Sequence, residues 1–248
     1  MHPAHAKLLV VSNAPRFVAL RYQVRPELTQ WVLPEGTVPE SVFHDRAADH
    51  ITAVLRAWAK RQAGAVQVAR NLAIRFLRDS PSVGIDPDVC VLDPAPPEGR
   101  DLSSLCLWKP GHVSPLLCFE VVSKNHPHKD YKDVHERYAA IGARELVILD
   151  PLMLGPASMG GPLAFQVWRA DTCGAFERVA AGDGPVFSEA LSCWLSLEDQ
   201  TIVFSDDRNG TQRWLTEAQE ERQAKERALE DKERALARVR ELEAALKK

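Results

Sequence analysis

Apolar and polar positions change period several times along the 248-residue chain, and each change marks an element. In the opening segment, KLLVVS (Lys7 to Ser12) and FVALRYQV (Phe17 to Val24) are short β-like runs interrupted by Pro15, Pro26 and Pro34. From Pro39 the period becomes helical. Ala47, Ile51, Val54, Leu55 and Trp58 recur three or four residues apart as far as Arg61, and Gly64 ends the run. The stretch from Ala65 to Leu77 predicts one or two strands, and a turn around Pro81 and Gly84 leads into another strand over Ile85 to Asp93. Pro94 to Pro115 reads as a long polar loop. Leu116 to Pro151, LLCFEVVSKNHPHKDYKDVHERYAAIGARELVILDP, reads as strand, helix, strand. Beyond it GPASMGG (Gly155 to Gly161) is a flexible connector, LAFQVWRA and GAFERVAA form a hairpin, and LSCWLSL with TIVF completes the compact body.

The tail has a different character. Thr216 to Lys248 contains neither Gly nor Pro, and Thr216 with Gln219 makes a capping box, so a single long helix is expected. KERAL occurs at Lys225 to Leu229 and again seven residues later at Lys232 to Leu236, and Val239, Leu242 and Leu246 continue an apolar seam at coiled-coil spacing. Alanines at several seam positions make a weak zipper, suited to a homodimer or to a partner helix. The expected organisation is a domain over residues 1–210 and a C-terminal coiled-coil helix over 211–248.

Composition narrows the classes. A formal net charge of −3 gives no general attraction to nucleic acid, so any such contact needs a local patch. The five cysteines are odd in number, contain no CxxC pair and sit mostly in apolar runs, which suits packed free thiols in a reducing cytoplasm. No apolar run is long enough to span a bilayer, and no membrane partner is expected. There is no GxSxG elbow, no P-loop and no GxGxxG opening a helix.

One residue breaks the apolar pattern most sharply. Glu120 stands in the middle of the run Leu116 to Val122, and burying an unpaired carboxylate costs several kcal/mol or forces its protonation. Such an acid points to a metal, a cationic partner or proton chemistry. By two-residue alternation Glu120 shares a face with Cys118 and Val122, and Asp86 and Asp88 share one with Cys90 and Leu92. With these strands side by side, Asp88 and Glu120 can converge on one hard divalent cation, Mg²⁺ or Mn²⁺, whose preferred ligands are carboxylate oxygens and water. A metal there suits phosphodiester hydrolysis, because it polarises a phosphate oxygen and lowers the pKa of an attacking water. The loop SKNHPHKDYK, Ser123 to Lys132, gathers lysines and histidines directly after Glu120, as a phosphate-facing loop would.

Pro87-Asp88, the hydrophobic-Glu-Val-x-Ser strand (Phe119 to Ser123), then Asp130, Tyr138, Gly142 and GARELVILDP ending at Asp150, together resemble the Uma-two family of the restriction-endonuclease-like PD-(D/E)xK superfamily. PESVFHDRAADHITAVL, carrying His44, resembles that family's first helix. The resemblance implies an α/β fold, a mixed sheet flanked by helices on both faces, and a divalent-metal-dependent endonuclease acting on nucleic acid, DNA in particular. It implies Asp88 and Glu120 as metal ligands, with Glu40 from the first helix completing the shell. The superfamily lysine two residues after the Glu is here Val122, and the family's helix lysine four residues before Tyr138 is here Val134. Two neighbours, Lys132 and Lys129, are left to supply the cation, with Lys132 slightly favoured. If neither does, the protein is an inactive relative that acts as a scaffold through its coiled coil.

Overall fold

The computed structural model describes residues 31–32, 42–62 and 65–246. The two opening β-like runs and Glu40 lie outside them. The helical period after Pro39 forms α1 (Val42–Arg61), whose Ala48, Ile51, Val54 and Leu55 are buried while its polar face stays in water.

A six-stranded mixed sheet forms the centre. Its members are β1 (Gln67–Arg70), β4 (Val89–Leu92), β6 (Leu117–Val121), β7 (Glu145–Leu149), β8 (Phe165–Ala170) and β9 (Phe176–Gly182), in that spatial order. Only β6 and β7 run parallel, and their crossover carries α2 (Val134–Ala140). That is the strand–helix–strand unit expected from Leu116 to Pro151, and β8 with β9 is the expected hairpin.

The central strands are buried on both faces, which is why their sequences read as continuous apolar runs. Val89, Val91, Leu117, Phe119, Val121, Val147 and Leu149 join a core with α1. That core is closed by the antiparallel sheet of β10 (Val186–Ser188), β11 (Cys193–Glu198) and β12 (Thr201–Ser205). Alternate residues of the same strands, Cys90, Leu92, Cys118, Val122, Leu146 and Ile148, join a second core with Tyr138 and Ile141 on and just beyond α2. A small sheet of β2 (Ala73–Arg75), β3 (Gly84–Ile85) and β5 (Ser104–Cys106) covers that side.

Three expectations change. The strand over Ile85 to Asp93 is two strands in different sheets, broken at Asp86-Pro87, because proline withholds an N–H from a continuing ladder. The loop from Pro94 to Pro115 contains β5, with Leu105 fully buried against Ile74 in parallel register. His112 anchors the same segment, since its Nδ1 accepts the Cys106 N–H at 2.9 Å and its Nε2–H donates to Glu98 at 3.0 Å. The GPASMGG stretch is no loose connector. Gly155 and Gly161 press on the Tyr131 ring so closely that a Cβ at either would collide with it.

The tail forms α3 (Glu217–Leu246) behind the expected capping box. The Gln219 N–H donates to Thr216 Oγ1 at 3.2 Å and the Thr216 N–H to Gln219 Oε1 at 2.9 Å. Its first turn is fastened to the end of α1 by Lys60–Glu217 at 2.6 Å and Arg61–Glu220 at 3.0 Å. Beside them Trp214 stacks on Trp58. Among the described residues no helix is long and apolar enough to cross a membrane.

Candidate functional site

The antiparallel register of β4 and β6, Val89 opposite Phe119, sets Asp88 opposite Glu120 when it is continued by one step. Both acids are about 4 % exposed. Asp88 closes the ladder end: its Oδ2 accepts the Val121 N–H at 2.7 Å and meets His44 Nε2 of α1 at 3.0 Å. The histidine at the start of the first helix is thus a buried partner of an acid, a role that its position alone does not reveal.

Glu120 meets α2 and the loop ahead of it. The buried Tyr138 hydroxyl of α2 donates to Glu120 Oε1, and Lys129 Nζ stands 3.8 Å from Oε2. Asp130, 3 % exposed, lies beside them. Ile85, Asp86, Glu120, Lys129, Asp130, Val134, Arg137 and Tyr138 line one narrow cleft with room for a water-sized occupant. Tyr138 and Arg137 reach it together because residues one helical turn from Val134 share its face.

Burial dominates the electrostatics. It pushes the Glu120 carboxyl well above the usual range, with Asp88 and Asp130 adding repulsion, while Lys129 and the Tyr138 hydrogen bond pull it back. Burial likewise raises Asp130 to about 7, against the pull of Lys129. The Glu120 carboxylate holds the Lys129 ammonium above its ordinary value, so this side chain stays charged at neutral pH. The Tyr138 phenol is raised by burial and then by Glu120, and remains a donor.

Of the two lysines weighed for the missing cation, Lys129 is the one that reaches Glu120, whereas Lys132 is exposed and outside the cleft lining. Val122 and Val134, at the positions where the motif and the family pattern have lysine, are both buried in the core on the α2 side. Asp130 belongs to the pattern that resembles the family, which by itself does not mark it as a site residue. Its signal was an acid between a cation-rich loop and a helix.

Asp130 and Lys129 are held in place through their neighbour. Tyr131 donates its hydroxyl to Asp150 Oδ2 at 3.0 Å and accepts the Leu163 N–H at 2.9 Å. Asp150, fully buried just past the end of β7, also accepts the Leu154 and Gly155 N–H groups, each at 2.8 Å. Asp150 therefore ties the 129–131 segment to the central sheet.

The donors fit a hard divalent cation. They are carboxylates, they are buried, and Asp130 Oδ1 is buried without a hydrogen-bond partner among the described residues. Among those residues no three His, Cys, Asp or Glu side chains are grouped so that they could hold a metal by themselves. Glu40, the further acid nominated from the sequence, lies outside them.

The model of the Uma2 family, described as "Putative restriction endonuclease", matches residues 17–173. A solved structure described as a putative nuclease belonging to DUF820, from Anabaena variabilis, is similar at 14% identity with a TM-score of 0.44. The similarity covers 64% of this chain and 78% of that one. No functionally curated protein matches the chain.

Proposed function

Because the chain belongs to the Uma2 family, we propose that it is a divalent-metal-dependent endonuclease that hydrolyses phosphodiester bonds of DNA. The observation that carries this reading is the cleft in which a charged lysine, Lys129, lies 3.8 Å from a buried carboxylate, Glu120, beside the unsatisfied Asp130.

Asp88 and Glu120 would hold the cation, Mg²⁺ or Mn²⁺, with Glu40 as a further ligand and Asp130 beside them. Bound there, the metal would polarise a phosphate oxygen and favour ionisation of an attacking water. The chain's own residues prepare the place. His44 and the Val121 N–H fix Asp88, and Tyr138 fixes one oxygen of Glu120. Lys129 takes the place of the motif lysine, as a fixed positive charge that orients water and faces the phosphate. Lys132, Lys124, His126 and His128 are exposed on the same loop and suit backbone phosphates in an otherwise acidic protein.

The test is nicking of plasmid and single-stranded DNA, with RNA in parallel, in Mg²⁺ or Mn²⁺, comparing the native chain with Glu120→Ala and Asp88→Asn. Cleavage lost in both variants supports the reading. A pure preparation that neither binds Mn²⁺ nor cuts any nucleic acid overturns it.

A second reading has its own observation. Val122 and Val134 are packed into the core where lysines would stand, which favours an inactive relative acting as a scaffold that self-associates, or binds a partner helix, through α3.

A further inference from the structure

Helix α3 leaves its fastened base and exposes a strict three-four stripe. Arg222, Lys225, Leu229, Lys232, Leu236, Val239 and Glu243 alternate in steps of three and four, the spacing of coiled-coil core positions. Leu229, Leu236 and Val239 are each about half exposed, at 58%, 48% and 50%, and Leu242 on the flank is 51% exposed. In an isolated helix such side chains lie open to water, so this stripe lacks a cover among the described residues.

The charges on the stripe choose between the two ways a second copy could cover it. In a parallel, in-register pair each core position meets itself. Arg222 would face Arg222, Lys225 Lys225, Lys232 Lys232 and Glu243 Glu243, so like charges would occupy most of the seam. In an antiparallel pair the two kinds of core position exchange. Lys225 then lies opposite the partner's Glu243, Leu229 opposite the partner's Val239, and Lys232 lays its stem along the partner's Leu236. The flanks agree: Glu226 falls beside the partner's Arg240, and Ala228 beside the partner's Leu242. Each of these pairs occurs twice by the two-fold symmetry of such a dimer.

We propose that two copies of this chain associate through α3 as an antiparallel helix pair, closed at each end by Lys225 against the partner's Glu243. The docking of Glu217 and Glu220 onto Lys60 and Arg61 leaves residues from Arg222 onward projecting from the body. Because the pair runs antiparallel, it sets the two folded bodies towards opposite ends of the seam. This extends the self-association reading by giving its orientation, and it does not depend on whether the cleft cuts nucleic acid.

The experiment is sedimentation of the full chain with Lys225→Glu, with Glu243→Lys, and with both substitutions, each checked for unchanged helicity. A native dimer is expected, weakened by about 10-fold or more in either single variant and restored in the double variant. In a parallel pair either reversal exchanges one like-charge contact for another and leaves the dimer unchanged, and that result would overturn the orientation. A native chain that stays monomeric at every concentration would overturn self-association itself. Weakened single variants without rescue would also overturn the pairing of Lys225 with Glu243.

Discussion

Lys129 and Glu120 form a lopsided ion pair: the carboxylate is buried, whereas the ammonium, 3.8 Å away, keeps 44% of its side chain in water. In the proposed function this lysine stands in for one that the motif would place inside the core, at Val122, and it does so from the loop ahead of α2. A cation at this position can meet Glu120 and an incoming phosphate together.

Replacing Lys129 by methionine should therefore lower nuclease activity by about 100-fold while Lys132→Met stays within about 3-fold, since fixed charges at reacting phosphates contribute on that scale. Rates of plasmid nicking measured side by side decide it. Equal losses in both variants would mean a general phosphate-binding role for the loop.

Asp130 and Glu120 should make stability fall with rising pH when no divalent cation is present. An acid whose folded pKa is raised contributes stability that is complete below its unfolded value and is lost as the pH climbs through the folded value. For Asp130 that window runs from its ordinary 3.8 to about 7, and Glu120 shifts in the same direction. In urea unfolding with EDTA between about pH 5 and 8, the native chain should lose stability and Asp130→Asn should lose less, by an amount on the order of a few kcal/mol. Adding Mn²⁺ should recover much of the loss in the native chain. Identical profiles for chain and variant would exclude a buried, titrating Asp130.

His44→Ala should destabilise the fold by about 1–3 kcal/mol, the usual cost of removing one partner of a buried hydrogen bond. Among the described residues the Val121 N–H alone would then hold Asp88 Oδ2. Chemical denaturation measures the loss, and an unchanged midpoint would show that solvent replaces the histidine freely.

Gly155→Ala would drive a methyl group into Tyr131 Cζ and Oη, and the matching Cβ at Gly161 would come within 2.6 Å of Tyr131 Cε1. Overpacking of this kind costs about 1–3 kcal/mol. It should also displace the segment that carries Asp130 and Lys129. Thermal melts together with Mn²⁺ affinity check both effects. A Gly155→Ala protein with native melting and native Mn²⁺ binding would show that the loop does not hold the site.

Local pattern and chemical outliers carried a large part of this outcome. The periods of α1, the β8–β9 hairpin and α3 were legible because each repeats its own spacing over enough residues to exclude the other, and β6 and β7 were legible as short apolar runs either side of a helix. Glu120 stood out because a charge in an apolar run is costly wherever the run folds, and Asp88 followed as an acid in a strand that could lie alongside. What the sequence left open depends on distance through space. A short strand such as β5 becomes a strand only when β2 supplies its ladder. Asp86-Pro87 splits one apolar run between two sheets, which no periodicity records. Lys129 and Lys132 are three residues apart with the same chemistry, and only the seating of Tyr131 against Asp150, Gly155 and Gly161 decides which of them faces Glu120. The longer elements and the acid pair were thus readable from the chain, because these follow from local spacing and the cost of buried charge. The tertiary structure alone decided the cation, the His44–Asp88 contact and the place of Asp130, because each depends on segments brought together by packing.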